Sequence, residues 1–205
     1  MYGIKKTIGI MAVAAVAMSS ATAQQPVDYV NPIIGTNGMG HTFPGACTPF
    51  GCIQLSPDTD TIPHNINGAY QKNAYEYCAG YQYRDKTIVG FSHTHLSGTG
   101  HSDLGDILLM PATGALKLSP GRADHPDEGY RSRFSHATEK ATPGYYEVML
   151  DDYGIKAQLT ATQRVGVHKY TFPKGKDGHL ILDLVHGIYN YDGKVLWANL
   201  RVEND

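Results

Sequence analysis

Three of the chain's ten histidines fall in one short stretch, Phe91-Ser-His-Thr-His-Leu-Ser-Gly-Thr-Gly-His-Ser-Asp-Leu-Gly-Asp106, together with two carboxylates. Imidazoles and carboxylates at this density point to a site for a polar ligand or a metal. The stretch follows the β-branched run Thr87-Ile88-Val89 and is broken by Gly98, Gly100 and Gly105. A strand running into a Gly-rich loop is therefore expected, the arrangement by which a rigid base presents polar side chains. His93 and His95 are two residues apart, so on a strand they would share one face. Two roles stay open for them: direct ligand contact, or a hydrogen-bonded pair that holds loops together. Asp103 and Asp106 either face the ligand or cap turns around Gly105, and capping suits Asp106 better. For a metal-dependent hydrolase the pattern falls short of HxHxDH, because Leu96-Ser97-Gly98 stands where an acid and a third histidine belong. The chain has no CxxC pair, which argues against a structural zinc site.

The elements that must position these residues belong to an exported protein. Lys5 and Lys6, the apolar run Ile8 to Met18 and the small residues Ala21-Thr-Ala23 form a signal peptide over residues 1–23. The apolar run is too short for a stable membrane span. Removing it takes away two lysines and no acid, so the formal charge of −2 becomes −4. The absence of a basic block argues against nucleic acid as a partner, and neutral polar ligands fit better. Residues 24–205 suffice for one domain with a real core. Cys47, Cys52 and Cys78 allow at most one internal bridge; Cys47 and Cys52 flank a turn, but small buried hydrophobes are the preferred reading.

Along the chain, residues 27–60 read as loops around a strand near Cys52 to Leu55, and Thr61 to Asn73 as a surface insertion. Tyr145 to Leu150, Ile155 to Thr162, Val165 to Phe172 and His179 to Val185 are β-prone, and Lys194 to Val202 is strand-like. Ile155, Ala157, Leu159 and Ala161 alternate with polar residues, the period of a strand with one wet face. Short links between such runs give antiparallel hairpins, and repeated hairpins without crossover helices give an all-β antiparallel sandwich.

The segments Tyr29-Val-Asn-Pro-Ile-Ile-Gly-Thr36, Gly40-His-Thr-Phe-Pro-Gly45, Pro49-Phe-Gly-Cys-Ile-Gln-Leu-Ser-Pro-Asp58, Cys78-Ala-Gly-Tyr-Gln-Tyr83, Ile88 to Gly100 and Gly105-Asp-Ile-Leu-Leu-Met-Pro111 resemble, in that order, family 92 glycoside hydrolases. The resemblance implies a galactose-mutarotase-like β-sandwich followed by an (α/α)6 barrel, the sandwich packing on that barrel. It implies a calcium-dependent exo-α-mannosidase that inverts configuration, commonly at α-1,2 linkages, and acts on mannose-containing glycans in the periplasm or outside the cell. Inversion needs an acid and a base on opposite sides of the sugar. The resemblance places both carboxylates and the calcium in the barrel, so no catalytic or metal residue is assigned here. The chain is expected to stop short of that barrel, with the sandwich itself incomplete.

What remains for residues 24–205 is part of the sugar-facing wall. The match implies sugar contact from the loop Gly40 to Ala46, with His41 and Phe43 on it and Gly45 allowing close approach of backbone. The match implies sugar contact from Tyr75 too, which stands where family members often carry a sugar-facing Trp. His93, His95 and Asp103 complete the set. Tyr81 and Tyr83 are either edges of the core or sugar platforms, Glu76 and the Asp124 to Glu128 run are solvated, and Asp58 after Ser-Pro is a turn residue. A stand-alone carbohydrate-binding module is the rival reading.

Overall fold

The computed structural model describes residues 24–60, 65–98, 100–189, 191 and 193–203. The signal peptide lies outside the described residues. The strands in chain order are β1 (Ala46–Cys47), β2 (Gln54–Asp58), β3 (Asn65–Ile66), β4 (Ala69–Tyr70), β5 (Thr87–Ile88), β6 (Gly90–Ser92), β7 (Leu108–Thr113), β8 (Ser132–Arg133), β9 (Lys140–Thr142), β10 (Tyr145–Leu150), β11 (Ile155–Ala161), β12 (Gly166–Thr171) and β13 (Gly178–Asp183). Helical structure among the described residues is confined to short 3-10 turns, such as Gly38–Gly40 and Lys72–Tyr77.

The strands form an all-β antiparallel architecture. One sheet has the order β1-β2-β6-β7-β13 and a second the order β12-β11-β10-β9, with small two-stranded pieces β3-β4 and β5-β8 beside them. The second sheet is the one whose alternation is plainest in the sequence. Tyr146, Val148 and Leu150 on β10, and Ile155, Ala157 and Leu159 on β11, turn inward, while Glu147, Lys156 and Gln158 stay on the wetter face. They pack in one core with Leu55, Phe91, Leu108 and Met110 of the first sheet. This apolar burial is the main force holding the sheets face to face.

Three local features depart from the sequence reading. The strand near Cys52 begins at Gln54 and runs on to Asp58, so Asp58 belongs to β2 and is fully buried rather than in a turn. Lys194 to Val202 forms no strand; Leu196, Trp197, Leu200 and Val202 are exposed, since β propensity without a neighbouring ladder does not hold a strand. The cysteines are all free: Cys78 is buried as expected, but Cys52 is exposed. Within the 61–73 insertion, β3 and β4 form an exposed hairpin whose turn, Asn67-Gly68, has left-handed backbone at both residues.

Candidate sugar-facing site

The loop that follows the Gly38–Gly40 turn is fixed from beneath. Buried Gln82 accepts from the Gly38 N–H (2.7 Å) and donates to the Gly38 carbonyl (3.0 Å), and its own N–H reaches Thr59 Oγ1 (2.9 Å). The chain leaves this clamp with His41 in the left-handed region (φ 52°, ψ 45°), a conformation that costs a non-glycine residue energy. His41 is only 7 % exposed, and its Nε2 is buried with no hydrogen-bond partner among the described residues. Its ring meets Tyr75 edge-on, with centroids 4.7 Å apart. Tyr75 rides on the Lys72–Tyr77 turn and is 40 % exposed, so part of its ring is open to solvent beside a buried, unpartnered nitrogen. An imidazole nitrogen and an aromatic face together can take the hydroxyls and the apolar face of a neutral sugar.

Two residues further on, half-buried Phe43 lies against the His95 ring (centroids 5.1 Å, 33° between planes). Gly45 then enters the first sheet. The space a side chain would need there is taken by β2, 2.2 Å from the Leu55 carbonyl oxygen. The glycine is thus required by strand-on-strand approach within the fold.

His95 is held from three sides. Carbonyls and carboxylates can only accept, so its Nδ1–H donates to the Gln54 carbonyl (2.6 Å) and its Nε2–H to Asp58 Oδ1 (2.9 Å); Ser92 Oγ lies 3.0 Å from the same Nε2. The other Asp58 oxygen accepts from His186 Nε2 at 2.7 Å. Burial pushes the Asp58 carboxyl up, but the charge on His95 and hydrogen bonds from both imidazoles outweigh it and bring the pKa down to about 2. His186 is in turn set by Asp183, which accepts from its backbone N–H (2.9 Å) and from the Tyr130 hydroxyl (2.6 Å).

His93 does not join this group. The strand ends at Ser92, and the two rings part company instead of sharing a face. His93 Nδ1 donates to the Ile107 carbonyl (2.6 Å), while its Nε2 lies 3.1 Å from His168 Nε2, and His168 Nδ1 lies 2.7 Å from the Tyr170 hydroxyl. With both rings singly protonated every group has a partner, and the chain of bonds ties the 93–95 segment to β12. Burial and the neighbouring His93 push the His168 pKa down to about 4. Folding therefore disfavours its protonation: this contribution is complete above pH 6.5 and is lost as the pH falls through about 4. The chain is expected to lose about 2 kcal/mol over that window, discounted for partial exposure. Urea titrations from pH 7 to 4 check this, and His168→Gln should flatten the slope.

Asp103 is also placed apart. It is exposed and accepts from the N–H of the next residue, Leu104, whose φ is 69°. Asp106 brackets the turn at Gly105 through Thr94, which donates to its carboxylate (3.1 Å) and accepts from its N–H (3.0 Å). Tyr81 is core, its hydroxyl on Glu139 (2.8 Å), whereas Tyr83 stacks on His136 with centroids 3.9 Å apart. Glu76 is half-buried and paired with Arg84. Among the described residues no group of three or more His, Cys, Asp or Glu is arranged to hold a metal ion. His93 and His95, committed to different partners, do not converge on one. The participants that motif reading missed are Asp58, Gln82, Ser92 and His186. Their signal was weak: Asp58, Gln82 and Ser92 lie inside the family motifs, but the partners of Asp58 and Gln82 stand far away in sequence.

The fold is thus a two-sheet antiparallel domain with a clamped loop that sets a buried imidazole beside a half-exposed aromatic ring. The chain matches the model of the glycosyl hydrolase family 92 N-terminal domain over residues 29–205, and it belongs to that family. The family 92 α-mannosidase BT3965 of Bacteroides thetaiotaomicron, whose structure is known in complex with mannoimidazole, shares 47% identity with it at a TM-score of 0.72. That match covers 80% of this chain and 20% of the mannosidase. The family 92 inverting mannosidase BT2199 of the same organism is 32% identical with a TM-score of 0.60, over 78% of this chain and 20% of that one. An uncharacterised secreted glycosidase of Arthroderma benhamiae is 29% identical over 171 residues, which are 82% of this chain and 20% of the relative. The chain thus spans about a fifth of the length of the relatives it matches.

Proposed function

We propose that this chain is the carbohydrate-contacting N-terminal part of an exported, calcium-dependent, inverting exo-α-mannosidase, and that it supplies one wall of the mannose pocket. The observation that carries this reading is His41, with its strained backbone and its buried Nε2 turned to no protein partner beside the open ring of Tyr75. A buried imidazole nitrogen left without a bond is costly, and a ligand hydroxyl admitted beside Tyr75 would supply the missing partner. Phe43 and Gly45 belong to the same loop. His95 acts through Phe43, His93 is tied to the Ile107 carbonyl and to His168, and the Asp103 carboxylate is exposed. The similarity to BT3965 supports mannose as the sugar recognised, and the secreted relative and the targeting segment at residues 1–23 support export.

On this reading the ion, the acid and the base of the inverting reaction belong to a barrel domain on which the sandwich packs, as the family resemblance implies. Purified alone, residues 24–205 should bind mannosides weakly and release no mannose with or without calcium. Chelator-sensitive mannose release by residues 24–205 would place the chemistry in this chain instead.

The wall itself is tested by Tyr75→Ala. The expected loss is about 1 kcal/mol of mannoside binding, or the equivalent in kcat/KM for the complete enzyme, with little change in stability. NMR titration with mannobioses of each α linkage checks it, and unchanged affinity for all of them removes Tyr75 from the site.

A further inference from the structure

The geometry points to Asp58 as the positioning residue of the Gly40 to Ala46 loop, acting through the ring of His95 on Phe43. The inference deepens the proposed sugar wall and rests on that reading for its consequence in binding. Three observations carry it.

The first is the engagement of the carboxylate. Asp58 is fully buried, and its two oxygens take one imidazole each, from residues 37 and 128 positions along the chain. Well-packed apolar residues can fill such a space without loss of stability, so a buried charge of this kind is poorly explained by stability alone.

The second is the immobilisation of His95. With Nδ1 on the Gln54 carbonyl and Nε2 on Asp58 and Ser92, the ring has one orientation, and Phe43 rests on it. A ring carrying positive charge against an aromatic face adds attraction to packing. Without Asp58 the Nε2–H has no carboxylate to aim at, and the surface under Phe43 is free to turn.

The third is the fit of the opposite wall. A side chain at Gly80 would come within 2.1 Å of Asp58 Oδ1 and 3.4 Å of His95 Nε2. Next to Asp58, Thr59 donates its N–H to the Gly80 carbonyl (2.8 Å) and accepts from the N–H of Gln82, the residue that clamps Gly38. The Asp58-Thr59 pair therefore braces the start of the loop through Gln82 and its middle through His95.

The test uses residues 24–205 as wild type, Asp58→Asn, Phe43→Ala and the double variant. Two readouts are taken: NMR signals of the His95 Nε2–H and the Phe43 ring, and affinity for α-mannobiose. Asp58→Asn, which replaces the charged acceptor by an amide oxygen, should move the downfield Nε2–H signal upfield, move the Phe43 ring signals and weaken binding roughly tenfold, the coupling expected of groups in one network. In the Phe43→Ala background the same change should shift affinity less than about twofold. Unmoved Phe43 signals in a folded Asp58→Asn chain, or an equal loss of affinity in both backgrounds, overturns the inference. Should Asp58→Asn not fold, His95→Gln keeps a donor toward Asp58 while removing the ring, and Phe43 signals unmoved by it are equally fatal. A wild-type chain that binds no mannoside sinks the sugar-wall reading, while the Phe43 signals still decide whether Asp58 positions the loop.

Discussion

Replacement of Asp58 by alanine should destabilise the folded chain by about 3–5 kcal/mol, the range for removing one partner from a buried charge cluster. His186 would be left with a buried N–H aimed 2.7 Å toward an oxygen no longer there, and His95 with only the Ser92 hydroxyl in place of the carboxylate at 2.9 Å. Urea unfolding at neutral pH measures the loss as a lower midpoint at unchanged slope. Asp103→Ala is the contrast: among the described residues the exposed carboxylate bonds only its neighbour's N–H, and its loss should stay within about 0.5 kcal/mol. The wild-type chain carries the same information in its acid limb. Because the folded carboxyl is depressed to about 2 from 3.8, its contribution is present above pH 3.8 and lost as the pH falls through about 2. That segment should amount to about 2 kcal/mol in the wild type and be absent from Asp58→Ala. An alanine variant with the wild-type midpoint would show that the cluster contributes nothing.

Gly45→Ala should be almost as damaging, with a loss of about 3 kcal/mol, at the upper end of the range for overpacking. The added carbon would stand 2.2 Å from the Leu55 carbonyl oxygen and 2.4 Å from Ser56 Cα, and these atoms cannot swing aside as a flexible side chain would. Relief requires β1 to lift from β2, whose pairing starts at the next residue with Ala46 opposite Leu55. Gly68→Ala, in the exposed hairpin, is the control: nothing lies within 4 Å, and only its φ of +81° is strained, so about 1 kcal/mol is expected. Thermal unfolding of both variants beside the wild type separates the mechanisms. If Gly45→Ala melts with the control, the close approach is not rigid. Since the loop leading to Gly45 carries His41 and Phe43, mannoside affinity should fall in Gly45→Ala and hold in Gly68→Ala.

The sequence by itself determined the β class and most of the second sheet. Ile155 to Ala161 alternate with a period of two, and side-chain direction along a strand depends on nothing beyond the strand, so β10, β11 and β12 lie within a residue or so of where they were read. The ordered motifs between Tyr29 and Pro111 likewise marked the family and the loop that carries His41 and Phe43. Tertiary structure decided the rest, because those properties belong to pairs of residues distant in the chain. Whether His93 and His95 work together depended on where the strand ended and on which neighbours, His168 in one case and Asp58 in the other, came within reach. Ser-Pro-Asp has the composition of a turn; only the arrival of two imidazoles, one of them 128 residues on, makes Asp58 a buried hub. Gly45 reads locally as a residue that admits a ligand, and only the adjacent strand reveals that the space is filled by β2. The strand-like run Lys194 to Val202 completes the contrast. Propensity can favour extension, but a strand needs a partner's hydrogen bonds, and those are set by topology.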